Sequence, residues 1–297
     1  MLLAADVDIF AGLVSFSFFV FVPFAIGFIV VYIDSEVSLR GRGQHFFAPW
    51  LAIVAFLLTT MALMLEGSIC VLIVSPGFLI LAGIGGLTAG WLRTRQSIQS
   101  STLSVVLLLP IILSPLEAHL PVSTEIKTRV DSVVIDADVA TIWRNITIVD
   151  QIDESELTFG VARLLGVPRP LEAHMGGSDG EQVRYTKWDK GISFQERIIE
   201  WSEQNSMQWE FEFPPGSIPK GTLDDHVAIG GEFFDLIGGG YTLTPQESGK
   251  VELTLTTAYR VSTRPKLYSL VWADVVMGDF HRMILGLVAD RSELQKS

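Results

Sequence analysis

Met207-Gln-Trp-Glu-Phe-Glu-Phe213 alternates without a break, with Met207, Trp209, Phe211 and Phe213 on one side and Gln208, Glu210 and Glu212 on the other. Strict period-two alternation marks a β-strand with one face buried and the other wet. The same rhythm surrounds it. Residues 182–188 and 193–201 read as strands before it, and 232–236, 240–244 and 250–261 as strands after it. In the last of these, Val251, Leu253, Leu255, Thr257, Tyr259 and Val261 share a face. Gly238-Gly239-Gly240 and residues 246–249 read as turns. Upstream, 127–138 has Val and Ile at its centre and predicts a strand. Short helices are expected at 137–148, around Trp143, and at 158–165, ended by Gly166 and Pro168. Downstream, 266–294 predicts one long helix whose apolar stripe is Leu270, Ala273, Met277, Phe280, Ile284, Leu287 and Val288.

This order, a strand, two short helices, a run of antiparallel strands and a long terminal helix, predicts an α+β layer arrangement in which a curved sheet packs on one helix. Three segments carry a family flavour: Val133-Val-Ile-Asp-Ala-Asp-Val139 followed by Ile142-Trp143, Phe194-Gln-Glu-Arg-Ile-Ile-Glu-Trp201, and the terminal helix from Leu267. Over residues 129–293 the chain resembles the START-like, helix-grip superfamily of polyketide cyclases/dehydrases and lipid-transport proteins (SRPBCC). The resemblance implies a curved antiparallel sheet around the C-terminal helix, with a cavity between them that holds hydrophobic ligands. None of the three segments is a catalytic signature.

Residues 1–120 have a different character. Four apolar stretches, at about 9–33, 46–65, 67–92 and 102–116, carry no charge in their interiors. A helix needs about 20 apolar residues to cross a bilayer core of roughly 30 Å. The expectation is a membrane domain of four transmembrane helices over 1–120, joined to a START-like ligand-binding domain over 121–297. Asp6 and Asp8 stand where a cleavable signal wants positive charge, so the first stretch reads as retained. Arg40, Arg42, Arg93 and Arg95 all flank the first and third connections. The positive-inside rule places these in the cytoplasm, and four crossings then put the C-terminal domain on the periplasmic or extracytoplasmic side. A fourth stretch that only dips into the bilayer reverses that side. Ala82, Gly86 and Gly90 recur every four residues and suggest close helix packing. The spans lack ionisable residues, which argues against a transporter.

Of the net charge of −12, −10 lies beyond residue 120. Such an acidic domain is repelled by phosphates, so nucleic acid is not expected as a partner. Cys70 is the lone cysteine and lies in an apolar stretch, which excludes an intrachain disulfide and a cysteine metal site. Nucleophilic hydrolysis lacks a Gly-x-Ser-x-Gly elbow. The ligand-binding candidates are Trp209, Phe211, Phe213, Tyr241, Tyr259, Met277, Phe280 and His281, on inward strand faces or along the helix stripe. An apolar ligand there gains roughly 25 cal/mol per Å² removed from water. Catalysis has only weak candidates: Asp224 and His226 in a compact acidic–imidazole cluster, and Asp274 and His281 two turns apart on the helix. Neither metal nor cofactor is implied. The expected partners are a lipid bilayer and a hydrophobic small molecule or lipid, held for transfer or sensing. A cyclase/dehydratase-like enzyme is the alternative, and a scaffold that docks a membrane-protein partner is the third reading.

Overall fold

The computed structural model of the protein describes residues 16–34, 41–63, 65, 67–95, 104–106, 108, 110–113, 117, 122–177, 182–219, 221–222 and 229–296. The chain divides into two compact units, Met1–Ser123 with Thr263–Tyr268, and Thr124–Ser262 with Ser269–Ser297.

The first unit is built on α1 (Phe16–Tyr32), α2 (Arg42–Ala62) and α3 (Ser68–Arg95). Small residues set their approach. A Cβ on Gly27 would lie 1.9 Å from the Ala82 carbonyl oxygen, and one on Gly86 would lie 2.1 Å from that of His45. Ala82 is fully buried, so part of the expected small-residue stripe is where the helix backbones meet. The buried Glu117 carboxylate accepts from the backbone N–H groups of Phe16 and Ser17, at 2.5 and 2.7 Å, and so satisfies the otherwise orphaned donors at the start of α1.

The expectation of four transmembrane helices is corrected. Two described helices, Arg42–Ala62 and Ser68–Arg93, are long and apolar enough to cross a membrane. Among the described residues the helix in the first stretch covers 17 residues, about 26 Å at 1.5 Å per residue. Residues 9–15 of that stretch lie outside the described residues. In the fourth stretch the apolar helix among the described residues, Ser104–Leu113, is short.

The second unit opens with β1 (Glu125–Ile135), then α4 (Val139–Thr147), a 3-10 turn at Glu154–Glu156 and the single-turn α5 (Val161–Leu164). Strands β2 (Pro170–Gly176), β3 (Val183–Trp188), β4 (Ser193–Ser202), β5 (Ser206–Glu212), β6 (Phe234–Pro245) and β7 (Val251–Val261) follow, and α6 (Lys266–Leu294) ends the fold. The seven strands form one antiparallel sheet in the order β1-β7-β6-β5-β4-β3-β2. An antiparallel sheet of this order with a long C-terminal helix is a helix-grip architecture. Asp138 caps α4, its carboxylate accepting from the Thr141 N–H at 2.9 Å, so the acidic turn after β1 is a helix start. Asp279, buried on α6, accepts from the Ala162 N–H at 2.9 Å and anchors α5 to the long helix.

Alternation holds where it was expected. Met207 and Trp209 are buried while Gln208 and Glu210 are exposed, and every second residue of β7 from Val251 to Val261 is buried. The main core joins Ile135, Ile142, Trp143, Met207, Trp209, Leu253 and Leu255 from the sheet and α4 to Leu285 and Val288 of α6.

Two expectations about elements are corrected, and one strand is new. The strands expected at 232–236 and 240–244 are one, Phe234–Pro245, because Gly238-Gly239-Gly240 continues it instead of turning. A Cβ on Gly239 would sit 2.7 Å from the Trp209 ring, and one on Gly238 would sit 2.7 Å from the Trp209 carbonyl oxygen. Glycine in a strand interior marks such close approach. The helix expected at 158–165 shrinks to Val161–Leu164. The edge strand Pro170–Gly176 has no alternation to announce it, and its Pro170 is tolerated at a strand start.

Candidate functional site

The sheet face that meets α6 carries three kinds of surface. The first is aromatic. Register sets Arg184, Glu196 and Phe211 side by side across β3, β4 and β5, and Trp209 lies two residues along β5 on the same face. Phe194 packs against Phe211 at 5.8 Å and Phe213 at 5.3 Å between ring centroids, and against Trp188 at 5.6 Å. Phe280 of α6 closes on Trp188 at 5.3 Å. Trp188, Phe211, Phe213 and Phe280 are only half-buried although they stand on the helix-facing side. Solvent therefore reaches this end of the aromatic wall. Trp209 is buried, with its ring over Gly239 and 5.3 Å from Tyr241.

The second surface is a sealed ion pair. Arg184 and Glu196 are direct cross-strand neighbours, 6% and 5% exposed, with Nη1 donating to Oε2 at 2.5 Å. Burial pushes the Glu196 carboxyl upward against the pull of the guanidinium. Burial likewise raises the Tyr241 phenol to about 12, and the charges of Arg184 and Glu196 act on that phenol in opposite directions. Two buried donors here, Arg184 Nε and Trp209 Nε1, have no hydrogen-bond partner among the described residues. Native interiors rarely leave such groups unsatisfied.

The third surface lies at the β1–β7 end. Arg129 and Asp131 are in phase with Val133 and Ile135 on β1, so alternation turns both charges toward α6. Arg129 donates to both oxygens of Asp131, at 2.7 and 2.9 Å, and to Asp274 of α6 at 2.9 Å. Gly278 makes room for this, since a Cβ there would be 2.8 Å from the guanidinium. His281, 1% exposed, shares its Nε2 with the Thr257 hydroxyl at 2.9 Å, while its Nδ1 lies 2.9 Å from Asp131 Oδ2 as a charge contact without aligned hydrogen-bond geometry. Burial holds the His281 imidazole below its ordinary range, partly offset by Asp131 and reinforced by Arg129. The Arg129 hydrogen bonds hold the Asp131 carboxyl below the usual carboxylate range. Hydroxyl, imidazole and carboxylate thus adjoin in that order, the order found where an acid orients a base that faces a hydroxyl, although the Nδ1–carboxylate contact lacks hydrogen-bond alignment. Arg129 neutralises the acid and weakens it as a partner for an imidazolium.

The expected site residues fall into distinct places. Trp209, Tyr241, Phe211 and Phe213 stand together at the β4–β6 part of the inner face. Tyr259 and Met277 are packed with Val261 and Leu270 in a separate cluster, where the Tyr259 hydroxyl is buried without a partner among the described residues. Phe280 lines the helix side opposite Trp188. Asp274 and His281 are linked through Arg129 and Asp131 rather than facing each other. Asp224 and His226 lie outside the described residues. Arg129, Asp131, Arg184, Glu196 and Thr257 were missed as site residues. Their signal is charge or hydroxyl in phase with a buried apolar face, as Glu196 is with Phe194. Among the described residues no three His, Cys, Asp or Glu side chains are grouped to hold a metal ion.

No protein family matches the sequence, and no curated protein does. Among solved structures, the Zhui aromatase/cyclase from Streptomyces sp. R1128 is similar at 14% identity and a TM-score of 0.36, covering 58% of this chain and 97% of that one. Truncated norcoclaurine synthase from Thalictrum flavum is similar at 14% identity and a TM-score of 0.33, covering 57% and 95%. A Staphylococcus aureus protein of unknown function is similar at 8% identity and a TM-score of 0.37, covering 59% and 99%. Likenesses of this size say nothing about what this domain binds or does.

Proposed function

We propose that the sheet domain binds a hydrophobic small molecule or lipid on its aromatic inner face, and that the helical unit holds it at a membrane for transfer or sensing. The observation that carries the reading is the half-buried state of Trp188, Phe211, Phe213 and Phe280 on a face that should be sealed if it served packing alone. A ligand that removes about 300 Å² of such surface from water gains on the order of 7 kcal/mol before ordering costs. Of the residues expected to touch ligand, Phe211, Phe213 and Phe280 are its contacts in this reading, with Trp188 added.

Support for the membrane comes from α2. Phe47, Leu51, Val54 and Leu58 are exposed on it, at 57%, 79%, 43% and 58%. An apolar face of that extent is poorly tolerated in water. With α2 and α3 as the crossings, Arg42 and Arg93 flank the same side, which the positive-inside rule makes cytoplasmic. The sheet domain then follows on that side, the reverse of the four-crossing expectation.

The test is mass spectrometry of small molecules that co-purify with the full chain in mild detergent. The expected result is a bound apolar molecule, lost when Phe211 and Phe280 are both replaced by Ala in a variant that keeps its cooperative unfolding. An empty wild-type protein that also fails to bind added apolar probes overturns the reading.

A second reading, acid–base catalysis of the cyclase/dehydratase kind, is favoured by the alignment of Thr257, His281 and Asp131. It requires that a substrate reach the His281 ring.

A further inference from the structure

We infer that the ligand face carries a built polar anchor, the Trp209 Nε1–H and Arg184 Nε–H donors, that recognises a neutral acceptor oxygen such as a ketone, ester or amide carbonyl. This rests on the proposed binding of an apolar ligand and names the chemical feature that ligand bears. Both donors belong to side chains at least nine-tenths buried, and neither has a partner among the described residues. They share one patch of the sheet. Arg184, Glu196 and Phe211 form one cross-strand row, the Trp209 ring stands 6.1 Å from Phe211 and 5.3 Å from Tyr241, and Tyr241 feels the charges of both Arg184 and Glu196. Gly239 leaves room for the indole to lie close against the sheet, since a Cβ there would sit 2.7 Å from the ring.

Charge selects the kind of acceptor. Nη1 of Arg184 is committed to Glu196, which leaves the pair near neutrality. A carboxylate or phosphate on the ligand would meet the Glu196 charge in a dry interior, where like charges repel strongly. A neutral carbonyl accepts two hydrogen bonds, one per lone pair, without bringing charge. The aromatic wall of Phe194 and Phe211 beside the donors suits a flat or acyl body attached to that oxygen.

The test compares three probes of one shape: fluorene, 9-fluorenone and fluorene-9-carboxylate. Binding to the full chain in detergent is read against a protein-free detergent blank. Fluorenone should bind about tenfold more tightly than fluorene, the difference that one or two net hydrogen bonds supply, and the carboxylate should bind no better than fluorene. The fluorenone carbonyl stretch should shift to lower frequency on binding. In Trp209→Phe and in Arg184→Lys, which remove the indole N–H and the Nε–H, the ratio of fluorenone to fluorene affinity should shrink and the infrared shift should diminish. Should either variant fail to fold, the wild-type preference and infrared shift decide alone. Equal binding of fluorene and fluorenone, or an unshifted carbonyl, overturns the anchor while leaving the apolar ligand reading intact. Binding of none of the three overturns both.

Discussion

Two arginines on the inner face of one sheet live under opposite conditions. Arg129 sits on the edge strand β1 with its side chain 28% exposed, and makes three hydrogen bonds to Asp131 and Asp274. Arg184 sits on β3, one strand in from the opposite edge, sealed, with one carboxylate and an Nε–H that has no hydrogen-bond partner among the described residues. Open charges can be satisfied by solvent and neighbours at little net energy, whereas sealed ones must be satisfied by whatever the interior contains. The contrast separates a cluster that adjoins His281 from an ion pair sealed in the interior.

The sharpest way to break the comparison is to remove one carboxylate from each arginine. Glu196→Ala should strip Arg184 of its counter-ion in a dry site and destabilise the domain by about 3–5 kcal/mol, lowering the thermal midpoint on the order of 10 °C. Asp274→Ala leaves Arg129 with Asp131 and with water, and should cost about 1 kcal/mol or less. Replacing Arg184 by Met together with Glu196 by Leu should recover most of the loss, since a paired removal leaves no lone charge. Thermal unfolding of the full chain in detergent checks all three, and similar losses for Glu196→Ala and Asp274→Ala would erase the distinction between sealed and open.

A smaller effect sharpens the sealed side. Gly239→Ala drives a Cβ into the Trp209 indole and should cost about 1–3 kcal/mol by overpacking. Trp209→Phe in that background should relieve part of it, and a purely backbone origin would show no relief. The smallest effect belongs to the open side and appears only across pH. The folded protein holds His281 neutral below its ordinary range, while the unfolded chain protonates it below about pH 6.5. The unfolded state then binds more protons, so stability is present above pH 6.5 and falls as the solution is acidified below it. Asp131, held low by Arg129, adds a further loss only under stronger acid, below about pH 3.8. His281→Gln should flatten the decline in thermal midpoint between pH 7 and 5, and an unchanged slope would remove His281 from the account.

Much of the sheet was legible because alternation is a local property. Met207–Glu212 and Val251–Val261 each declare their buried face residue by residue, and the long helix announces itself by its stripe. The tight spots were not legible. Gly238-Gly239-Gly240 looks like a turn until Trp209 is known to lie across it. The edge strand at Pro170–Gly176 borrows its pairing from β3 and carries no rhythm of its own. The charged residues on β1 and β4 follow the alternation faithfully, yet periodicity alone does not say whether a carboxylate in phase with Phe194 is buried or shifts the register.

By itself, the amino-acid order determined the division between an apolar helical region and an acidic α+β domain, and the layer arrangement of the latter, because helix and strand periods are written in neighbouring residues. Only the tertiary structure decided which side chains share a site. Arg184 meets Glu196, and His281 meets Thr257 and Asp131, through strand register and helix packing, and these bring together groups that are 12, 24 and 150 positions apart. Among the described residues it left two helices long and apolar enough to cross a membrane, since the length of a helix depends on where its hydrogen bonds stop and not on where apolar residues stop.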